Sequence, residues 1–282
     1  MLGYDLAAAC KAGGYNTRVY DLPEFDITSP AHVQEAVCAA DVIINCAAYT
    51  DVDGAQTHAA TAHRVNAEAL GSLGMFAREH GKWVLHFSTD FVFDGTLDRP
   101  YVETDTPRPI NEYGRSKWAG EQLLEASGCA YCLVRLEWTY GAHGTNFVAK
   151  LAEQARAGGT LQVVDDQIGS PTATTVVAAT VVELLDRKAK GVYHLASSGY
   201  VSRFEMAEFI SERLGLGVDV QPCRSSDYAT PAKRPLNSRF NCNKIRSLLG
   251  HPIEPWQKPL EHFLRQLDAK DSDYRRCGIH RQ

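Results

Sequence analysis

Ser88-Thr89-Asp90, followed by Tyr113-Gly114-Arg115-Ser116-Lys117, is the stretch on which the reading of the fold turns. A tyrosine and a lysine four residues apart on a helix share one face, one turn apart. A phenol ordinarily ionises near pH ~10. An ammonium beside it stabilises the phenolate and lowers that value, so the pair can pass a proton to or from a substrate oxygen. Thr89, at the end of an apolar run, supplies a hydroxyl to hold that oxygen. The Tyr-x-x-x-Lys spacing alone arises by chance in many helices, where it is a solvated surface pair. Its weight here comes from the surroundings. Leu85-His86-Phe87-Ser88 reads as a buried strand delivering Thr89, and Asn111 to Ala126 as the helix carrying the pair.

Working outward, strands alternate with helices, the pattern of an α/β fold with a parallel sheet. Asp41-Val42-Ile43-Ile44-Asn45 has the composition of a buried parallel strand. The small residues after it, Cys46-Ala47-Ala48, lie at the carboxyl edge where open α/β sheets bind ligands. A long helix is expected from about Thr57 to His80, with Asn66 on its solvent side. Trp83 to Ser88 is the next strand and Tyr131 to Leu136 the one after. Trp138 leaves the latter at the same sheet edge, where an indole can stack on a flat ligand. After Gly144 the alternation is less regular: helices at Asn146–Ala157, Thr174–Asp186, Arg203–Leu214 and Trp256–Leu267, with short strands between.

The start of the chain is unusual. A dinucleotide-binding domain opens with an apolar strand and a Gly-rich turn. Here Met1-Leu2-Gly3 runs straight into a helix through about Ala12, so Gly3 would be the last glycine of that turn. The expectation is a chain that begins late, with weak cofactor binding and poor stability. A short strand, Thr17–Tyr20, ends in Asp21, an acid suited to an adenosine ribose; it favours the unphosphorylated ribose of NAD. Ser29 and Pro30 mark a helix start.

Composition narrows the class. The chain has 282 residues, 44% of them hydrophobic, and a net charge of −5, so neither nucleic acid nor an anionic membrane is an expected partner. No apolar run is long enough to span a bilayer, and no secretory signal is visible, which makes the expected location cytoplasmic. Eight cysteines are scattered. The single pair Cys129-x-x-Cys132 lacks the further ligands a metal site needs, so no metal site is expected.

These residues together resemble the extended short-chain dehydrogenase/reductase superfamily, and within it the dTDP-4-dehydrorhamnose reductase family. The resemblance runs from Gly3 to about Leu267. It rests on Asn45-Cys46-Ala47-Ala48-Tyr49-Thr50-Asp51-Val52-Asp53, on Ser88 to Gly95, on Tyr113 to Lys117 and on Trp138-Thr139-Tyr140-Gly141. It continues in Asp166-Gln167-Ile168-Gly169-Ser170-Pro171-Thr172 and Arg234-Pro235-Leu236-Asn237-Ser238. It implies a Rossmann-type doubly wound parallel sheet, its first strand missing, with a smaller C-terminal α/β substrate domain. The nucleotide-binding part would comprise residues 1–145 and about 174–195. The substrate part would comprise about 146–173 and 196–267, followed by a disordered tail, 268–282.

The implied activity is reduction of a nucleotide-sugar ketone by NADPH or NADH. By the resemblance Thr89, Tyr113 and Lys117 carry the chemistry. Asp21, Asp26, Ile27, Ala48, Tyr49, Thr50 and Phe87, with Tyr113 and Lys117, contact the cofactor. Val52, Thr89, Asp90 and Trp138 lie near the sugar, and Arg234 and Ser238 at the dTDP end, a guanidinium suiting a diphosphate. Mg²⁺ assistance and a homodimer are compatible with it. Glu137 departs from the family's pattern, standing where small polar residues are usual. Two alternatives stay open: an epimerase or dehydratase of the same superfamily, and a non-catalytic subunit similar to the regulatory beta subunit of methionine adenosyltransferase.

Overall fold

Four apolar runs pair side by side, because buried strands satisfy their backbone groups only through neighbours. The computed structural model describes residues 1–276, with side chains through Ala269. Its strands are β1 (Val42–Asn45), β2 (Trp83–Thr89), β3 (Ala130–Leu136), β4 (Thr139–Tyr140), β5 (Thr160–Val164), β6 (Ile168–Gly169), β7 (Thr172–Ala173), β8 (Gly191–Leu195), β9 (Val201–Ser202) and β10 (Asp219–Cys223). The main sheet has the order β1-β2-β3-β8, all parallel, with Val42 opposite Trp83, Trp83 opposite Ala130 and Cys132 opposite Gly191.

The helices are α1 (Leu2–Ala12), α2 (Pro30–Cys38), α3 (Gly54–Thr57), α4 (Ala59–His63), α5 (Ala69–Glu79), α6 (Glu112–Ser127), α7 (Phe147–Ala157), α8 (Thr174–Asp186), α9 (Arg203–Leu214), α10 (Asn243–Leu249) and α11 (Gln257–Arg276). They cover both faces of the sheet. Leu85, Phe87, Cys132 and Val134 point to one side, where Leu6 and Cys10 of α1 and Val177, Val181 and Leu184 of α8 bury them. Val84 and Leu133 point to the other, against Val33 and Val37 of α2, Leu70 and Leu73 of α5 and Leu124 of α6. That alternation follows from the two-residue period of a strand. A further core gathers Val148 and Leu151 of α7, Val163 of β5, Met206 and Ile210 of α9, and Leu260 and Phe263 of α11, beside the parallel β5–β10 pair.

Three expectations are corrected. Residues 17–20 form no strand; Val19 is 63% exposed. A strand exists only where a neighbour takes its hydrogen bonds, and β1, the edge of the sheet with Val42 39% exposed, does not pair with this segment. The long helix expected at 57–80 is interrupted: α4 passes into a π-helical turn, Arg64–Glu68, before α5. The closing helix continues to Arg276, past residue 268, where an unstructured tail was expected to begin. Residues 277–282 of that expected tail lie outside the described residues. Among the described residues no helix is long and apolar enough to cross a membrane, and no cluster of His, Cys, Asp or Glu is placed to hold a metal ion.

Candidate active site

Helix α6 is set in place from its first turn. Asn111 is its N-cap, the side chain accepting the Gly114 N–H at 2.8 Å and donating to the Lys233 carbonyl at 2.7 Å. Gly114 lies so close to the segment after β2 that a Cβ there would sit 2.2 Å from the Phe91 carbonyl oxygen. This contact brings Tyr113 to the carboxyl end of β2, where its ring meets Phe91 edge-on, centroids 5.6 Å apart. Thr89 ends β2; its hydroxyl donates to Asp90 at 3.0 Å and accepts the Phe91 N–H at 3.2 Å.

The Tyr113 phenol is pushed up to about 12, by burial first and by the Asp90 carboxylate second, while a hydrogen bond with Thr89 works the other way. Tyr113 and Thr89 are therefore neighbours, but the expected lowering of the phenol by Lys117 is not found. Lys117 Nζ donates instead to the Phe87 carbonyl at 2.7 Å and lies 3.2 Å from His86 Nε2. Helical spacing puts the two side chains on one face; the long lysine stem then carries its charge down to the β2 backbone. Burial lowers the Lys117 ammonium from 10.5 to about 8, against the attraction of Glu121 and then Cys46. Burial, and then Lys117, hold His86 well below its usual value, so the ring is neutral beside Lys117 and Asn45, whose Nδ2 is 3.1 Å from its Nδ1.

Residues expected to contact a nucleotide lie along the carboxyl edge of the sheet. Gly3 at the start of α1 lies against Cys46, the added Cβ 3.9 Å from Cys46 Cβ, so that helix points its N-terminus at the end of β1. Ala48 and Tyr49 follow half-buried and Thr50 exposed. Asp26 accepts from the Thr28 N–H and hydroxyl, both at 2.8 Å, which holds its carboxyl below the ordinary range; Ile27 packs beside the α2–α5 core. Asp21 is exposed and accepts the Leu22 N–H. Phe87 is buried in the core, so only its backbone faces this edge.

Beyond Thr89 come loops. Asp90 is buried and receives the Ser238 hydroxyl as well as that of Thr89; burial raises its carboxyl above the usual value. Trp138 takes a left-handed backbone, φ 45°, a conformation strained for a bulky residue and typical of side chains aimed for a purpose. Val52 is half-buried at the start of the loop whose Asp53 pairs with Arg234, N–O distances 2.8 and 2.7 Å. The two residues expected at the dTDP end are thus engaged within the protein: Arg234 by Asp53, and Ser238, 3% exposed, by Asp90.

Three residues were not read from the sequence. Asn66 is buried, not exposed. The π turn rotates it inward, and its side chain accepts the Tyr49 N–H at 2.8 Å and donates to the Tyr49 carbonyl at 3.1 Å and Ser116 Oγ at 2.9 Å. It ties the loop after β1 to α6. Glu137, the departure from the family's pattern, is 1% exposed and accepts the Ser170 N–H at 2.9 Å and the Phe240 N–H at 3.3 Å. It joins the β3 exit to the two loops carrying the Asp-Gln-x-Gly-x-Pro-Thr and Arg-Pro-x-Asn-Ser motifs. Arg203 covers Trp138, its guanidinium carbon 3.5 Å from the ring centroid.

Comparison with known proteins gives the family. A family model described as the RmlD substrate binding domain matches residues 1–269. The dTDP-4-dehydrorhamnose reductase of Mycobacterium tuberculosis strain H37Rv is 37% identical over 267 residues, covering 92% of this chain and 88% of that protein. The reductase of the same name from Escherichia coli K12 is 33% identical over 255 residues, covering 86% and 85%. The crystal structure of dTDP-4-dehydrorhamnose reductase from Bacillus anthracis in complex with NADP superposes with a TM-score of 0.90 at 33% identity, covering 94% of this chain and 95% of that one. With its motifs converging on one sheet edge and these relatives along nearly its whole length, the chain belongs to the dTDP-4-dehydrorhamnose reductase family.

Proposed function

We propose that the chain reduces the C4 ketone of dTDP-4-dehydro-L-rhamnose to give dTDP-L-rhamnose, with NADPH, or NADH in its place, as reductant. When bound, the nicotinamide supplies the hydride. The residues present fit such a cofactor: a helix N-terminus beside a side-chain-free Gly3, small residues after β1 and a buried lysine ammonium at the end of β2. Ala48, Tyr49, Thr50, Asp26, Ile27 and the Phe87 backbone would line it, with Asp21 toward the ribose.

The protein's own part is proton supply and orientation. Tyr113 gives its phenolic proton to the C4 oxygen as negative charge develops there. Thr89 donates a hydrogen bond to the same oxygen, exchanging its present bond to Asp90. Lys117, seated on the Phe87 carbonyl one helical turn from Tyr113, would hold the nicotinamide ribose. Trp138 and Val52 would pack on the sugar. The α7, α9 and α11 core would form the substrate side of the cleft.

The observation that supports this reading most is that Thr89, Asp90 and Tyr113 meet at the end of β2, while Lys117 is buried one helical turn away. The test is NADPH oxidation on dTDP-4-dehydro-L-rhamnose, with Tyr113→Phe as the comparison. Turnover in the parent, cut by about 10²–10⁴ in the variant with NADPH binding kept, is the expected result. Sugar binding without turnover in the parent would sink it.

A further inference from the structure

Arg203 stands at the first helical position of α9, directly after the N-cap Ser202. Its backbone N–H is bonded to the Gln167 carbonyl at 3.2 Å, which fixes where the side chain leaves the loop. The guanidinium then lies over two rings, 3.5 Å from the Trp138 centroid and 4.6 Å from that of Phe147. Aromatic faces attract a cation but offer its N–H groups no oxygen. Among the described residues the guanidinium makes no ion pair and no hydrogen bond. Asp90 and Glu137 are near enough to attract it, yet each is occupied: Asp90 by Ser238 and Thr89, Glu137 by the Ser170 and Phe240 N–H groups.

The contrast with Arg234 matters. That guanidinium is already closed by a two-pronged pair with Asp53. Arg203 is partly buried, held beside Trp138, and has its donors unspent. Burial brings it down to about 9, against the attraction of Asp90 and then Glu137, and Arg234 adds a smaller push downward; neither carboxylate is bonded to it. A planar fork of donors without a carboxylate fits a ligand with paired anionic oxygens. A nucleotide sugar carries such a group a few bonds from the ketone.

We propose that Arg203 is the diphosphate contact of this cleft, its guanidinium hydrogen-bonding the non-bridging oxygens of the dTDP group while Trp138 and Phe147 hold it in position. This rests on the nucleotide-sugar reading above and moves the phosphate contact from Arg234, where the sequence pattern put it, to α9.

The test measures inhibition constants of dTDP and of thymidine against the sugar substrate, in the full chain and in Arg203→Met and Arg203→Lys. Arg203→Met should weaken dTDP at least tenfold, leave thymidine unchanged, and leave both Tm and the NADPH-induced Tm rise as in the parent. Arg203→Lys should fall between, because an ammonium keeps the charge and loses the fork. Parent-like dTDP inhibition in a folded Arg203→Met, or an equal loss for dTDP and thymidine, overturns the proposal. Should Arg203→Met fail to fold, Arg203→Lys decides: unchanged dTDP inhibition with unchanged salt dependence overturns it. A parent that neither binds dTDP nor turns over the sugar sinks the nucleotide-sugar reading itself, and this inference with it.

Discussion

Raising the pH through 8 should titrate Lys117 and leave Tyr113 untouched. Burial brings the lysine from 10.5 to about 8, whereas burial and Asp90 take the phenol up to about 12. As the acid of the proposed ketone reduction, Tyr113 must be protonated, a condition met at any working pH. In the proposed reaction the ammonium must be charged to hold the nicotinamide ribose from its place on the Phe87 carbonyl. The rate kcat/KM reports the free enzyme and should fall about tenfold per pH unit above 8. The phosphates of a bound dinucleotide attract the ammonium and raise its pKa, so the fall in kcat should lie at higher pH than that in kcat/KM.

The same shift has a counterpart in stability. The folded pKa of Lys117 is below its unfolded value, so the unfolded chain binds more protons between about 8 and 10.5. The group therefore contributes stability that is present above 10.5 and lost as pH falls through 8, about 3 kcal/mol in all at 1.36 kcal/mol per unit. Lys117→Met removes that penalty, by about 3 kcal/mol at pH 7 and about 1 kcal/mol at pH 10. The variant should be inactive, and its Tm relative to the parent should be higher at pH 7 than at pH 10. Initial rates of NADPH oxidation from about pH 6 to 10, with melting curves at the two extremes, check both arms. A flat kcat/KM above 8, or a Tm difference that ignores pH, refutes the reasoning.

Three further outcomes follow from the packing around α6. Glu121 pairs with Arg135 at 2.6 Å, both under 5% exposed, and Glu121→Gln leaves a buried cation without its partner. The expected loss is about 3–5 kcal/mol in urea unfolding, with most of it recovered in the double variant Glu121→Leu, Arg135→Met. Gly114→Ala puts a Cβ into the Phe91 carbonyl and must push α6 away from Thr89; stability should fall by about 1–3 kcal/mol and kcat far more steeply than NADPH affinity. Asn66→Ala leaves the Tyr49 N–H unbonded, a cost of about 1–3 kcal/mol, and should raise KM for NADPH before that for the sugar. Unchanged melting in all three would show that α6 is not held as described.

How much of this could be read from the residues depended on the range of the forces involved. Local rules served well where one element decides itself. Ser29-Pro30 opens α2, the helix read over 111–126 is α6, and the apolar runs at 42–45, 83–89 and 130–136 pair in one sheet. They failed where the deciding partner is distant in sequence. Thr17–Tyr20 has strand composition but no neighbour, and composition cannot supply one. Asn66 reads as a surface residue at 3.6 residues per turn; one π turn rotates it inward, and nothing in the apolar period marks that turn. The helical spacing of Tyr113 and Lys117 was sound, yet the direction of the ammonium was set by a carbonyl on β2. Arg203 gave no signal, since an arginine after a capping serine looks like any exposed helix start.

Four ionisable side chains around the site are displaced for one reason, and it bears on the mechanism. Asp90 and Glu137 are pushed up from the ordinary carboxyl range, Lys117 and Arg203 down from that of free bases, and in each the first cause is burial. A pocket that biases its acids and bases alike toward neutrality is a poor solvent for isolated charge. It is then a strong one for a complementary ligand, because interactions between charges strengthen where water is excluded. A diphosphate against Arg203 and the phosphates of a dinucleotide bound near Lys117 would each favour the charged form of a base that burial disfavours. Substrate and cofactor would thereby complete the electrostatics on which proton delivery by Tyr113 depends. The two pH limbs in the first prediction measure this directly, since the separation between kcat/KM and kcat is the extent to which the bound ligands raise the pKa of Lys117.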